Sequence, residues 1–136
     1  TFFIFTEGFY FLTRLTNLKL IETNGYYLLG LINDSLDLSK IESGNFDLRF
    51  ACVSLPDIFR GVISTSIGLL KDKPVHIQPD FPDNLPLVWA DALRVRQIIL
   101  NLMSNAIKFT DSGQVTLSAR GEGQRVRISV TDTGIG

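Results

Sequence analysis

Four polar residues on one predicted helix carry the chemistry that is easiest to read from this sequence. From Ala92 to Lys108 the background is apolar, including Leu93, Val95, Ile98, Ile99, Leu102 and Met103. Against it stand Gln97, Asn101, Asn105 and Lys108, separated by steps of four, four and three. At ~100° per residue these steps place all of them within about 80° of arc. Asparagine is a poor helix former because its amide competes with the backbone, and a merely solvated face more naturally uses Glu, Lys or Gln. Two carboxamides in line, ending in a lysine, suit an oxygen-rich ligand. The amide oxygen can ligate Mg²⁺, the amide NH₂ can donate to phosphate, and the lysine adds a point charge. Spacing alone leaves a second reading open and slightly favours it: an amphipathic helix whose exposed face holds Asn and Gln.

A second candidate closes the sequence. Asp132-Thr133-Gly134-Ile135-Gly136 follows a predicted strand. Gly134 and Gly136 permit close backbone approach and positive φ. A carboxylate at a strand end can accept from an exocyclic amine such as that of adenine. The spacing is not that of a Walker phosphate loop, which needs a longer glycine interval and a following Gly-Lys-Ser/Thr. Nor does it match the doubly wound dinucleotide fingerprint, which needs a following helix. By itself this glycine pattern is a weak signal, because Asp-Thr-Gly also opens ordinary turns.

These residues need elements to position them. Residues 1–12 are aromatic and apolar and read as the end of a helix, with a turn at Thr13–Thr16. From about Leu15 to Glu42, Leu18, Ile21, Leu28, Ile32, Leu36 and Ile41 recur at mostly three- and four-residue steps, the pattern of a bundle or coiled-coil arm. Gly44 suits the position just past the helix end. Phe46, Leu48 and Phe50 alternate with polar residues as in a half-buried strand. Ser54 and Pro56 suit the start of a helix running to about Leu70, which Lys71-Asp72-Lys73-Pro74 breaks. Val75–Ile77 and Leu87–Trp89 read as short strands, with Pro79, Pro82 and Pro86 in a loop between them. Asp91 is a good N-cap for the helix from Ala92. Two alternating runs, Val115–Ala119 and Val126–Val130, flank a turn at Gly121–Gly123 and form a hairpin. The whole is an α+β chain, a helical arm followed by a mixed domain.

Composition narrows the function. A net charge of −1 gives no field towards nucleic acid or anionic membrane. One cysteine, Cys52, can form neither an internal disulfide nor a cysteine metal cage, and a reducing, cytoplasmic compartment is the simplest match. No apolar run approaches the ~20 residues of a membrane span. The only methionine is Met103, so the sequence reads as cut from a longer one.

Taken together, three segments resemble the sensor histidine kinases of two-component and phosphorelay systems. Leu31–Gly44 looks like the second half of their dimerisation and phosphotransfer hairpin. Arg94–Thr110, with Asn101, Asn105 and Lys108, looks like their N box. Asp132-Thr133-Gly134-Ile135-Gly136 looks like their first glycine box. The resemblance implies a partial dimerisation hairpin over residues 1–44. Over residues 45–136 it implies an incomplete Bergerat-type ATP-binding α/β sandwich of the kinase, gyrase and Hsp90-like kind. It implies ATP and Mg²⁺ as cofactors, with Asn101 on the metal, Asn105 supporting metal and phosphates, and Lys108 on phosphate. Asp132 would read the adenine amine, and Gly134 and Gly136 would hinge a lid. The partners implied are a second copy through the helical arm and the receiver domain of a response regulator. The reaction implied is transfer of the γ-phosphoryl to a histidine and then to that regulator.

Gln97 stands where the gyrase and chaperone branch places a water-activating Glu, which favours transfer over hydrolysis. The phosphoacceptor box has no match in residues 1–14. His76, the only histidine, lies in a strand pattern and takes no catalytic role, so this chain by itself is expected to be inactive. Two alternatives remain: an ATP-hydrolysing protein of the same superfamily, and a non-catalytic dimerisation scaffold. Asp34 and Asp37 read as solvated, Trp89 as core and Cys52 as a small buried residue. Arg94 faces the same way as Asn101.

Overall fold

The structure, a computed structural model, describes residues 2–134, with side chains from Phe11 onward. The chain divides after Asp47 into two compact units.

The first unit is one helix, α1 (Phe2–Glu42). It runs unbroken through Thr13–Thr16, where a turn was expected. The Thr16 hydroxyl donates to the Leu12 carbonyl at 2.9 Å and Thr23 to Lys19 at 2.8 Å. The hydroxyls therefore satisfy themselves one turn back on the helix instead of redirecting the backbone. At the other end Gly44 takes φ +70°. Its N–H donates to Ile41 and that of Asn45 to Lys40, the paired bonds of a Schellman stop. Leu28, Leu29, Leu31, Ile32 and Leu36 are all exposed. Apolar side chains at 28, 29, 31 and 32 spread over about 160° of the helix, wider than one narrow stripe. Among the described residues, no helix is long and apolar enough to cross a membrane.

The second unit is a two-layer α/β arrangement. Its elements are β1 (Ala51–Val53), α2 (Leu55–Leu70), β2 (Val75–Asp80), β3 (Val88–Ala90), α3 (Ala92–Phe109), β4 (Gly113–Glu122) and β5 (Arg125–Asp132). The main sheet has the order β2-β4-β5, with β2 parallel and β5 antiparallel to β4. Alternation sends Val75, Ile77, Val115, Leu117 and Ala119 to one face, where they bury against Phe59 and Val62 of α2 and Ile99, Met103 and Ile107 of α3. His76 pairs in register with Gln114 and is exposed, on the opposite, polar side of the sheet.

Several local expectations shift. Pro79 lies inside β2, opposite Leu117, and not in a loop. As β2 is an edge strand, the missing N–H is tolerated there. The hairpin turn is Gly123-Gln124, since Gly121 and Glu122 still pair with Val126 and Arg125; Gly123 supplies φ +60°. No strand forms over Phe46–Phe50. β1 covers only Ala51–Val53 because its partner β3 is equally short. Register then explains two further misplacements. Val53 opposite Val88 faces inward, so Cys52 opposite Trp89 faces out; Cys52 is exposed and Trp89 is 69% exposed. The Trp89 ring stacks on Phe50 at 6.4 Å between centroids. Ser54 occupies the N-cap of α2 without a side-chain capping bond.

Ser66, on the buried side of α2, is fully enclosed, and its hydroxyl has no partner among the described residues. Ser66→Ala removes that desolvated group and favours the helix, so it should stabilise the unit by about 1 kcal/mol. Chemical denaturation checks this; an equal or lower stability would mean that the hydroxyl is bonded in solution.

Candidate functional site

The site is built on α3, and its rotation is set by what it buries. Ile99, Met103, Ala106 and Ile107 lie in the core. At ~100° per residue their mean direction is roughly opposite that of Gln97, Asn101, Asn105 and Lys108. The polar line therefore faces away from the sheet. Asn101, Asn105 and Lys108 are exposed and Gln97 is half-buried.

Asp91 fixes where the helix begins. Its Oδ1 accepts from the Leu93 N–H at 3.0 Å and the Arg94 N–H at 3.2 Å, capping the first turn. Its Oδ2 accepts from the Arg49 N–H at 2.9 Å, which ties the segment before β1 to the same carboxylate. These bonds, that from Arg49 first and that from Arg94 next, hold its carboxyl below the usual 3.8.

Within the line, the Arg94 guanidinium donates to Gln97 Oε1 at 2.8 Å. A guanidinium only donates, so it fixes which way the amide is turned and leaves the Gln97 NH₂ as the outward group. Arg94 thus serves Gln97 directly. The Lys108 ammonium lies 5.3 Å from the Phe109 ring centroid.

The glycine loop meets the far end of this helix. Gly134 sits so close to the Phe109 carbonyl that an added Cβ would clash with it. This backbone-to-backbone approach brings the loop within a residue of Lys108. Asp132 Oδ1 accepts from the Gly134 N–H at 2.9 Å, which closes a small turn. Asp132 pairs in register with Val115 and extends the even-numbered row Val126, Ile128, Val130. Its carboxylate is therefore on the helix side of the sheet, exposed beyond the last apolar residue. Gly136 lies outside the described residues.

Two contributors escaped sequence reading. Thr133 Oγ1 accepts from the Gln114 N–H at 2.9 Å, clipping the loop to the start of β4. Gly113 adopts φ +121°, and a Cβ there would run into Thr133 Oγ1, so a side chain could enter only by displacing the clip. The only signal was a glycine before an alternating run. Among the described residues no cluster of three His, Cys, Asp or Glu could hold a metal ion. Carboxamide oxygens suit a hard cation that arrives with phosphate oxygens and water in its shell, and a lysine suits those phosphates.

Comparison with known proteins shows what the chain is similar to. Residues 90–136 match the family described as histidine kinase-, DNA gyrase B-, and HSP90-like ATPase. The cell-division control histidine kinase PdhS of Brucella canis is 42% identical over 121 residues, covering 88% of this chain and 12% of that protein. Over most of its length, then, the chain is a homologue of histidine kinases. A second relative, the non-motile and phage-resistance protein of Caulobacter vibrioides, is also 42% identical, over 85% of this chain and 14% of its own length. The solved structure of full-length ShkA in complex with AMPPNP superposes with a TM-score of 0.72 at 37% identity, covering 79% of this chain and 24% of that one. This chain thus spans about an eighth of the curated relatives it matches.

The capping carboxylate makes a prediction for the segment. Because the folded-state pKa of Asp91 is depressed, its contribution is present above the unfolded value and lost as pH falls through the folded one. The stability gap between wild type and Asp91→Ala should be constant near neutral pH and narrow once pH drops below 3.8. Denaturation at pH 7 and pH 2 measures it, about three units above and about two units below the ordinary aspartate value. An unchanged gap in acid would show that the charge does not hold the cap.

Proposed function

We propose that this chain is the part of a sensor histidine kinase that binds Mg-ATP, joined to an arm that dimerises. What carries the reading is the outward polar line on α3, ending where Gly134 abuts the Phe109 carbonyl. In this reading Asn101 offers its amide oxygen to Mg²⁺. Asn105 supports metal and phosphates, and Lys108 contacts phosphate with an ammonium free to follow the ligand. Asp132 accepts from the adenine amine, while Gly134 and Gly136 hinge a lid. Bound Mg-ATP would supply a γ-phosphoryl group whose charge the cation offsets.

The Arg94–Gln97 pair supports transfer over hydrolysis. Gln97 offers no basic carboxylate, and its one carbonyl oxygen is already engaged by Arg94. Residues 1–44 would form the dimerisation hairpin with a second copy; the exposed Leu28, Leu29, Ile32 and Leu36 support this. Residues 45–136 would form the ATP-binding part. The phosphoryl would pass to a histidine that this chain does not supply, since His76 lies on the sheet's polar side. From there it would pass to a response-regulator receiver domain. The setting proposed for this chemistry is the cytoplasm.

The test is a Mg-ATP titration followed by amide chemical shifts, comparing wild type with Asn101→Ala. The variant should bind at least about tenfold more weakly, a difference of 1.4 kcal/mol. Its melting should match wild type or rise slightly, because alanine is the better helix former by a few tenths of a kcal/mol, roughly. Equal binding would remove Asn101 from the site. Unfolding would make it a packing residue.

A further inference from the structure

We propose that Lys73 is a positioning residue that holds the last turn of α3 and, through it, the loop of Asp132–Gly134. This rests on the nucleotide-site reading and extends it to a residue outside the recognised motifs. The Lys73 ammonium donates to the carbonyls of Ile107 at 3.0 Å, Lys108 at 3.2 Å and Thr110 at 3.2 Å. The last carbonyls of a helix have no partner within it and carry its negative end, so a cation there answers both needs. Asp111, at 3.9 Å and almost fully exposed, adds little.

The clamp and the glycine loop divide one turn between them. Lys73 takes the carbonyls of Lys108 and Thr110, and the carbonyl between them, that of Phe109, faces Gly134. If the turn frays, the surface against which Gly134 packs is lost. Lys108 keeps its own side chain out of the clamp, over the Phe109 ring. One lysine thus holds backbone and leaves the other free for phosphate. The turn that delivers Lys73 is itself constrained: Lys71 adopts φ +52°, ψ −123°, a conformation that side chains rarely tolerate. The Lys73 N–H bonds back to Leu70, and the Pro74 carbonyl accepts from Gly113 at the start of β4. Lys73 is therefore anchored on the same strand start that Thr133 clips.

Lys73→Met keeps most of the stem and removes the donors. In the absence of ligand, amide exchange at Thr110 and Gly134 should accelerate by about tenfold or more, while that at Leu117 in the core stays unchanged. Mg-ADP, titrated by amide shifts, should bind about three- to tenfold more weakly. Lys73→Arg, which retains a cation and N–H donors, should recover most of both effects. If Lys73→Met does not fold, Lys73→Gln takes its place with the same readouts. Unchanged exchange at Gly134, or nucleotide binding equal to wild type, overturns the clamp. So does uniform acceleration across the core, which would make Lys73 a stability residue only. If wild type and Asn101→Ala bind Mg-ADP alike, the nucleotide-site reading fails instead, and exchange at Gly134 still judges the clamp.

Discussion

The second unit depends on the burial of one face of α3. Ile99, Met103, Ala106 and Ile107 have no other place to leave water than the space between α2 and the sheet. Once they are there, the rotation of the helix is set, and Asn101, Asn105 and Lys108 on the other side are committed to the outside. Two asparagines are acceptable on such a helix because the apolar face and the Asp91 cap stabilise it despite their low propensity. A ligand-binding surface can therefore be written on one side of a core helix without disturbing the other.

Fixing the rotation does not fix the ends, and the ends are where the remaining parts of the site meet. At the start, Asp91 binds backbone N–H groups from both its own helix and Arg49. At the finish, Lys73 collects carbonyls and Gly134 presses against another. Both ends of α3 would otherwise expose unpaired backbone groups. Satisfying them with residues from distant segments turns a local requirement of helices into long-range cross-links. The glycine at 134 is required by this approach: a Cβ would push the loop away from the helix.

α1 presents the contrary case. Its C-terminal end is closed by a Schellman stop at Gly44, and Thr16 and Thr23 along its length bond back onto the helix. Yet its apolar side chains remain exposed. Most helical stability in proteins comes from packing rather than propensity, and apolar surface of this extent is what a packing partner would cover. That is consistent with the bundle proposed for the family's dimerisation arm.

Local signals in the sequence determined most of the elements. Period and capping chemistry marked α2, α3 and the β4–β5 hairpin, because a helix start, a two-residue alternation and a glycine turn each depend on near neighbours. The polar line of Gln97, Asn101, Asn105 and Lys108 was legible for the same reason, since helical spacing alone puts them on one face. Tertiary structure decided what neighbours cannot specify. Trp89 and Cys52 read as core residues, but their strands are only three residues long and the register with Val53 and Val88 turns them outward. Pro79 read as a loop residue until an edge position made its missing N–H harmless. Lys73 read as part of a helix break, and Gly113 as nothing in particular. Their partners lie 34 and 20 positions further along the chain, at Ile107 and Thr133. A hydrogen bond or steric limit between residues so far apart leaves no periodic trace in sequence. It exists only once the sheet has brought the end of α3, the start of β4 and the loop after β5 to one place.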